Sequence, residues 1–357
     1  MRLDRIMSRL LIISNRLPFA IEKTDDEIVV RQSSGGLVSA IKSYFEQKNV
    51  DSQVYSEKIW VGSMDATEED WQQAQQMNAV DNDFKIIPIF PEKETYDNYY
   101  NGFSNSTLWP LFHYFPSLVE NKKEYFNAYK KINQLFADKL LQIIEPGDVI
   151  WVQDYQLMLL PQMLRQRVPD ATIGFFLHIP FPSYEIFRMM PTDWKRAILE
   201  GVLGADLVGF HTHDYVQHFI QSAKMILKVE SQFNNIQYKD RLIKTDLFPI
   251  GIDYQKFREA CIDETVVGIA TDLEEKFYNQ KIIFSVDRLD YTKGLNYRLD
   301  GYEQFLTDYP EWREKVVFIF NVIPSRDAIQ TYSDSKGKIE EKVSMINGKF
   351  STIHWQP

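Results

Sequence analysis

Arg288, Asp290, Lys293 and Gly294 fall within one short stretch, "IIFSVDRLDYTKGL", residues 282–295, directly after an apolar run. A guanidinium fork next to an ammonium suits a diphosphate, and a glycine lets a ligand or helix approach the backbone closely. The same residues also suit a solvated turn in which Asp287 and Asp290 pair with the two cations. The apolar run itself, "IIFSV", reads as a buried strand.

Other candidate residues also follow apolar runs, where a doubly wound sheet presents ligands to strand ends and helix N-termini. Arg16 follows "LLIISN", and Ser34, Gly35 and Gly36 open a helical segment. The glycine pair fits a close phosphate approach or an ordinary turn. Asp154 follows "VIWVQ" and reads either as a helix N-cap or as an acceptor for sugar hydroxyls. His178, inside "GFFLHIPFP", fits a satisfied core histidine or a site residue at a strand end. The stretch "YYNGFSNSTLWPLFHY", residues 99–114, carries Tyr100 and Trp109 without clean periodicity. It reads as a packing loop or as an aromatic platform for a sugar phosphate.

Two metal patterns are weak. "DND" at 81–83 precedes a strand and suits a turn, and "HTHD" at 211–214 lacks a third placed ligand, so no tightly held metal is expected. Neither a G-x-G-x-x-G nor a P-loop pattern occurs, which argues against dehydrogenase and P-loop chemistry.

These residues need a scaffold. The apolar runs "LLIIS", "KIWVGS", "FKIIPIF", "DVIWVQD", "IGFFLHIPF", "DLVGFH", "DLFPIGI", "KIIFSVDRL" and "KVVFIFNVIPS" read as strands. Helix-period segments lie between them. In "NAYKKINQLFADKLLQII" the apolar stripe is Ala128, Ile132, Leu135, Phe136, Leu140 and Ile143. This alternation predicts α/β architecture with a parallel, doubly wound sheet. At 357 residues the chain suits two domains. A boundary within "FPIGIDYQKF" gives 1–252 and 253–357, the second with about three strands and so incomplete.

Acidic residues outnumber basic ones by 50 to 40, which disfavours nucleic acid and anionic membranes as partners. A single cysteine excludes an internal disulfide framework, and the apolar run near the N-terminus is too short for an export signal. No other apolar run is long enough to span a membrane, so a cytoplasmic protein is expected.

Taken in order, "ISNRLP", "SSGGLV", "WVGS", the aromatic stretch, "WVQDYQLMLLPQMLR", "GFFLHIPFPSYEIFR", "LVGFHT", "FPIGID", "VDRLDYTKGL" and the terminal "WQP" resemble the trehalose-6-phosphate synthases, over nearly the whole chain. That resemblance implies a GT-B fold with two Rossmann-like domains, acceptor-binding over 1–252 and nucleotide-sugar-binding over 253–357. It also implies a reaction: glucose passes from UDP-glucose to glucose 6-phosphate with retention, giving α,α-trehalose 6-phosphate and UDP. Both ligands are anionic, which would account for clustered cations in an acidic chain.

By position, the resemblance assigns Arg288 and Lys293 to the donor diphosphate and Gly35 and Gly36 to the donor approach. It assigns Arg16, Tyr100, Trp109 and Arg326 to the acceptor and its phosphate, Asp154 to acceptor hydroxyls, and His178 to the transferring glucose. Asp154, His178, Arg288 and Lys293 are the expected catalytic set, with no cofactor beyond UDP-glucose as co-substrate. Family members continue past Pro357 into an acidic-Gly-Met-Asn-Leu-Val loop and a later glutamate, so the donor site is expected to be incomplete here. Alternatives are a truncated, non-catalytic or regulatory member, or a synthase with another phosphorylated acceptor such as glycerol 3-phosphate. Homo-oligomerisation is left open.

Overall fold

A computed structural model describes residues 8–23, 28–32, 38, 41, 55–76, 84–324 and 330–357. The chain divides into two compact units, Met1–Ile252 and Asp253–Pro357.

The strands of the first unit are β1 (Ser8–Arg16), β2 (Phe19–Lys23), β3 (Ile28–Gln32), β4 (Tyr55–Ser63), β5 (Lys85–Ile89), β6 (Val149–Gln153), β7 (Thr172–Phe176), β8 (Leu207–Phe210), β9 (Glu230–Gln232), β10 (Asn235–Tyr238) and β11 (Arg241–Leu247). The main sheet runs β5-β4-β1-β6-β7-β8-β11-β10-β9, while β2 and β3 form a separate antiparallel pair. From β5 to β11 every neighbour is parallel. The chain leaves β1 for β4 and β5 on one side, then returns to build β6, β7 and β8 on the other. The strand order therefore reverses between β1 and β6.

The apolar run at β1 explains its central place. Leu10, Leu11, Ile12 and Ile13 are all buried, as both faces of a central parallel strand require. Trp60 on β4 is fully buried, and its indole N–H donates to Ser14 Oγ at 2.7 Å.

Three sequence expectations need correction in this unit. The sheet is not wholly parallel, because β9-β10-β11 is an antiparallel meander. Two-residue turns make it possible, with Phe233 and Lys239 at φ 51° and 53°. "DLFPIGI" is not a strand beyond Leu247; β11 starts earlier, where Ile243 and Thr245 are buried and their polar neighbours face out. In the long helix Lys123–Leu141, Leu135 is 36% exposed, because burial widens toward Tyr129, Asn133 and Ala137 on the opposite flank of the stripe.

The second unit has two strands among the described residues, β12 (Lys281–Arg288) and β13 (Val316–Ile323), parallel and in continuous register. Helices Leu295–Asp308 and Gln330–Phe350 supply its core, including Leu299, Leu306, Ile339 and Ile346 packed with Val316 and Val317. The indole of Trp355 donates to the Val316 carbonyl at 2.9 Å, which ties down the terminal "WQP". The expectation of a buried β12 is not met: Phe284 is 65% exposed, and Ile282, Ile283 and Val286 are exposed as well. Among the described residues β12 pairs only with β13, so one edge and much of its apolar surface stay uncovered.

Candidate functional site

Arg16 is the last residue of β1, and an ordered set of side chains carries it. Its guanidinium lies 4.5 Å above the Tyr100 ring, and its Nε donates to Tyr96 Oη at 3.4 Å. Tyr96 and Tyr100 stack at 5.7 Å and 8°. Asn15, one residue earlier, donates from Nδ2 to Tyr96 Oη at 3.2 Å and accepts from Tyr99 Oη at 2.9 Å. Ser63, at the end of β4, donates to the Asn15 carbonyl. Strand ends and aromatic rings thus fix where the Arg16 charge sits, while the residue as a whole stays exposed to solvent.

The tyrosines come from helix Lys93–Asp97 and from an eleven-residue π-helix, Asn98–Leu108. A π-helix of this length breaks the helical period, which is why the stretch looks aperiodic in sequence. It buries Tyr99, Phe103 and Leu108 completely. Gly102 has a structural reason: a Cβ there would lie 2.5 Å from the Tyr125 ring. Trp109 follows directly, 6% exposed, packed against His113 at 4.1 Å and Tyr155 at 5.6 Å.

Asp154 follows β6 and is not a conventional N-cap. It precedes a short 3-10 helix, Tyr155–Leu157, with φ 71° and ψ 173° and no capping hydrogen bond from its side chain. Instead, Asp154 Oδ1 accepts the backbone N–H of His178 at 3.0 Å, while the Asp154 N–H donates to the Phe176 carbonyl at 2.7 Å. The turn behind it is held from the long helix. Tyr129 Oη donates to the Tyr155 carbonyl at 2.7 Å, Asn133 Nδ2 donates to the Gln156 carbonyl at 3.0 Å, and Asn133 Oδ1 accepts from the Leu159 N–H at 3.3 Å.

His178 lies just past β7, with its Nε2 2.8 Å from Gln153 Oε1. Its ring meets Phe176 edge-on at 4.6 Å and His211 at 5.7 Å. Loss of hydration pushes the imidazole down to about 3, and the nearby His211 adds to the effect. His178 is therefore a neutral ring near pH 7, able to hydrogen-bond a hydroxyl without adding charge. Burial lowers His211 as well, partly offset by its hydrogen bond to the His178 backbone.

In the second unit, Arg288 ends β12 and Lys293 ends a 3-10 turn, Tyr291–Lys293. The acidic neighbours are engaged elsewhere. Asp287 pairs with Arg298, and Asp290 caps the turn through the N–H and hydroxyl of Thr292 at 2.9 and 2.8 Å. Among the described residues neither Arg288 nor Lys293 has a carboxylate partner, and Arg288 is exposed. Gly294 adopts φ 63° and starts helix Leu295–Asp308, a left-handed conformation that favours glycine.

The structure thus groups Arg16 with Tyr100, joins Asp154 to His178, and places Arg288 at the end of β12 and Lys293 on the 3-10 turn that follows it. Gly35, Gly36 and Arg326 lie outside the described residues, as do Ser34 and the "DND" at 81–83. Among the described residues no group of three or more His, Cys, Asp or Glu is placed to hold a metal ion. No helix among them is long and apolar enough to cross a membrane. Sequence reasoning missed the supporting roles of Asn15, Tyr96, Tyr99, Gln153 and His211. Only position marked them, since each adjoins a strand end or one of the motifs.

The family model described as glycosyltransferase family 20 matches residues 8–357. The alpha,alpha-trehalose-phosphate synthase [UDP-forming] A of Dictyostelium discoideum is 40% identical over 350 residues, covering 98% of this chain and 46% of that relative. The chain thus spans about half the length of that curated relative. Among solved structures, trehalose-6-phosphate from E. coli bound with UDP-2-fluoro glucose superposes with a TM-score of 0.83 at 30% identity, covering 98% of this chain and 72% of that one. A UDP-forming alpha,alpha-trehalose-phosphate synthase from Burkholderia xenovorans, in complex with glucose-6-phosphate, gives 0.80 at 28% identity, covering 98% and 73%. These neighbours have the GT-B fold, and this chain shares it.

Proposed function

The chain belongs to glycosyltransferase family 20, and we propose on that footing that it moves glucose from UDP-glucose to glucose 6-phosphate, giving α,α-trehalose 6-phosphate and UDP. One observation carries this reading. Arg16 and Asp154 leave the carboxyl ends of β1 and β6, the two strands that flank the reversal of strand order. Ligands of doubly wound sheets bind at that point.

In this reading Arg16, braced by Tyr96 and Tyr100, receives the phosphate of glucose 6-phosphate. Asp154 accepts hydrogen bonds from acceptor hydroxyls, and Trp109 backs the acceptor site through Tyr155. His178 hydrogen-bonds the transferring glucose as a neutral ring. Arg288 and Lys293 receive the donor diphosphate, and their lack of carboxylate partners among the described residues leaves both charges available. Gly35 and Gly36 are assigned to the donor approach and Arg326 to the acceptor phosphate by sequence position alone.

Chemistry follows from where charge develops. As the glycosidic C–O bond lengthens, negative charge builds on the UDP leaving group, and preplaced cations stabilise that state more than the ground state. If the acceptor's anomeric hydroxyl enters on the face that UDP leaves, configuration is retained with no protein nucleophile, and the departing phosphate takes the hydroxyl proton. The test is UDP release by the full-length gene product with glucose 6-phosphate or glycerol 3-phosphate as acceptor. Release that depends on glucose 6-phosphate supports the reading, and preference for glycerol 3-phosphate overturns it.

A further inference from the structure

Gln153 ends β6 with no exposed surface, immediately before Asp154. Its amide Oε1 meets His178 Nε2 at 2.8 Å, while its Nε2 has no hydrogen-bond partner among the described residues. The contact with His178 is therefore the anchor of this amide. With Oε1 facing the ring, the amide accepts there and Nε2 of the imidazole carries the proton, which leaves Nδ1 as the ring's acceptor.

We propose that Gln153 is a positioning residue for glucosyl transfer, holding His178 as a neutral Nε2–H imidazole in one orientation. The role rests on the function proposed above, in which His178 lies beside the transferring glucose. Positive charge grows on the glucosyl carbon as UDP departs, and an imidazolium next to it would oppose that change. Gln153 orients the ring without supplying the negative charge that would favour its protonation. A carboxylate at the same atom would orient the ring and charge it as well.

The surroundings fit this division of labour. Asp154, from the same strand end, directs Oδ1 to the backbone N–H of His178. His211, from the end of β8, stands edge-on to the ring at 5.7 Å and accepts the Ile250 N–H through Nδ1 at 3.4 Å. Among the described residues these two are the titratable neighbours, one fixing the backbone and the other closing the side of the ring.

The test uses histidine-selective 15N labelling, long-range 1H–15N spectra of the His178 ring assigned with His178→Gln, and kinetics of the full-length gene product. The unaltered ring should show one Nε2–H tautomer from about pH 5 to 8. In Gln153→Met the ring should populate both tautomers, and kcat should fall about ten- to a hundredfold with KM nearly unchanged. In Gln153→Glu the ring should titrate within that range, and kcat should recover as pH rises and the ring loses its extra proton. A parent-like ring spectrum in Gln153→Met overturns the proposal, and so does a changed tautomer with unchanged kcat. Failure of the underlying function looks different: the unaltered protein releases no UDP while the ring still responds to Gln153.

Discussion

Asp154 and His178 are locked together across the ends of two adjacent strands. The His178 N–H donates to Asp154 Oδ1 at 3.0 Å, and the Asp154 N–H donates to the Phe176 carbonyl at 2.7 Å. This clamp is obtained with Asp154 at φ 71° and ψ 173°, a region that costs a residue bearing a Cβ about 1–3 kcal/mol.

That strain makes a stability prediction. Asp154→Gly and Asp154→Ala remove the same carboxylate, but only glycine relieves the backbone. The glycine variant should be more stable by about 1–3 kcal/mol in urea denaturation, against the usual order of the two residues. An alanine variant equal to or more stable than the glycine variant would show that the backbone is unstrained. Both variants should lose turnover.

Arg16 should govern acceptor affinity. Arg16→Ala is expected to weaken glucose 6-phosphate binding by about 1.5–3 kcal/mol, on the order of ten- to a hundredfold, as measured by calorimetry. Binding of glucose without its phosphate should hardly change. An Arg16→Ala protein with parental affinity would remove this residue from the phosphate site.

For the donor, Arg288→Ala or Lys293→Ala in the full-length gene product should lower kcat by on the order of a hundredfold while KM for UDP-glucose moves less. A change confined to KM would make these residues ground-state ligands only. Asp287→Ala is a useful companion: it breaks the Asp287–Arg298 pair, so it should reduce the stability of this unit more than it alters donor affinity.

His178 should also leave a mark on stability. Its folded value, near 3, lies below the ordinary value of 6.5, so between those values the unfolded chain binds the extra proton. Stability from this group is therefore fully present well above pH 6.5 and is lost as pH falls through 6.5 toward 3, by on the order of 5 kcal/mol across the whole window. Between about pH 7 and 5, His178→Gln should flatten the fall in urea midpoint seen in the parent. Parallel pH profiles for the two proteins would contradict a desolvated neutral ring.

Much of the fold was legible because apolar runs such as "LLIIS" are buried on both faces, and the lack of a helical period distinguishes them from the helices between. The antiparallel meander was hidden, since "RLIKTDL" of β11 shows no polar–apolar alternation although its burial alternates, and the turns use Phe233 and Lys239 in place of glycine. The π-helix was hidden for a different reason: its wide turn matches neither the strand nor the α-helix period. Exposure of β12 could not be read from "IIFSV", because composition says that a strand seeks cover and not whether it finds any. At the candidate site the charged residues announced themselves. Asn15, Tyr96 and Gln153 did not, because their work is to hold other side chains, and that is visible only once strand ends are brought side by side.

The proposed transfer is tested by the identity of the product that the full-length gene product forms from UDP-glucose and glucose 6-phosphate. UDP and a disaccharide phosphate should form in equal amounts, with both anomeric centres α in its NMR couplings. Turnover should fall by on the order of a hundredfold in Arg288→Ala and be lost in Asp154→Ala. A β-linked product, transfer to a different phosphorylated acceptor in preference to glucose 6-phosphate, or free glucose as the only sugar released would contradict it.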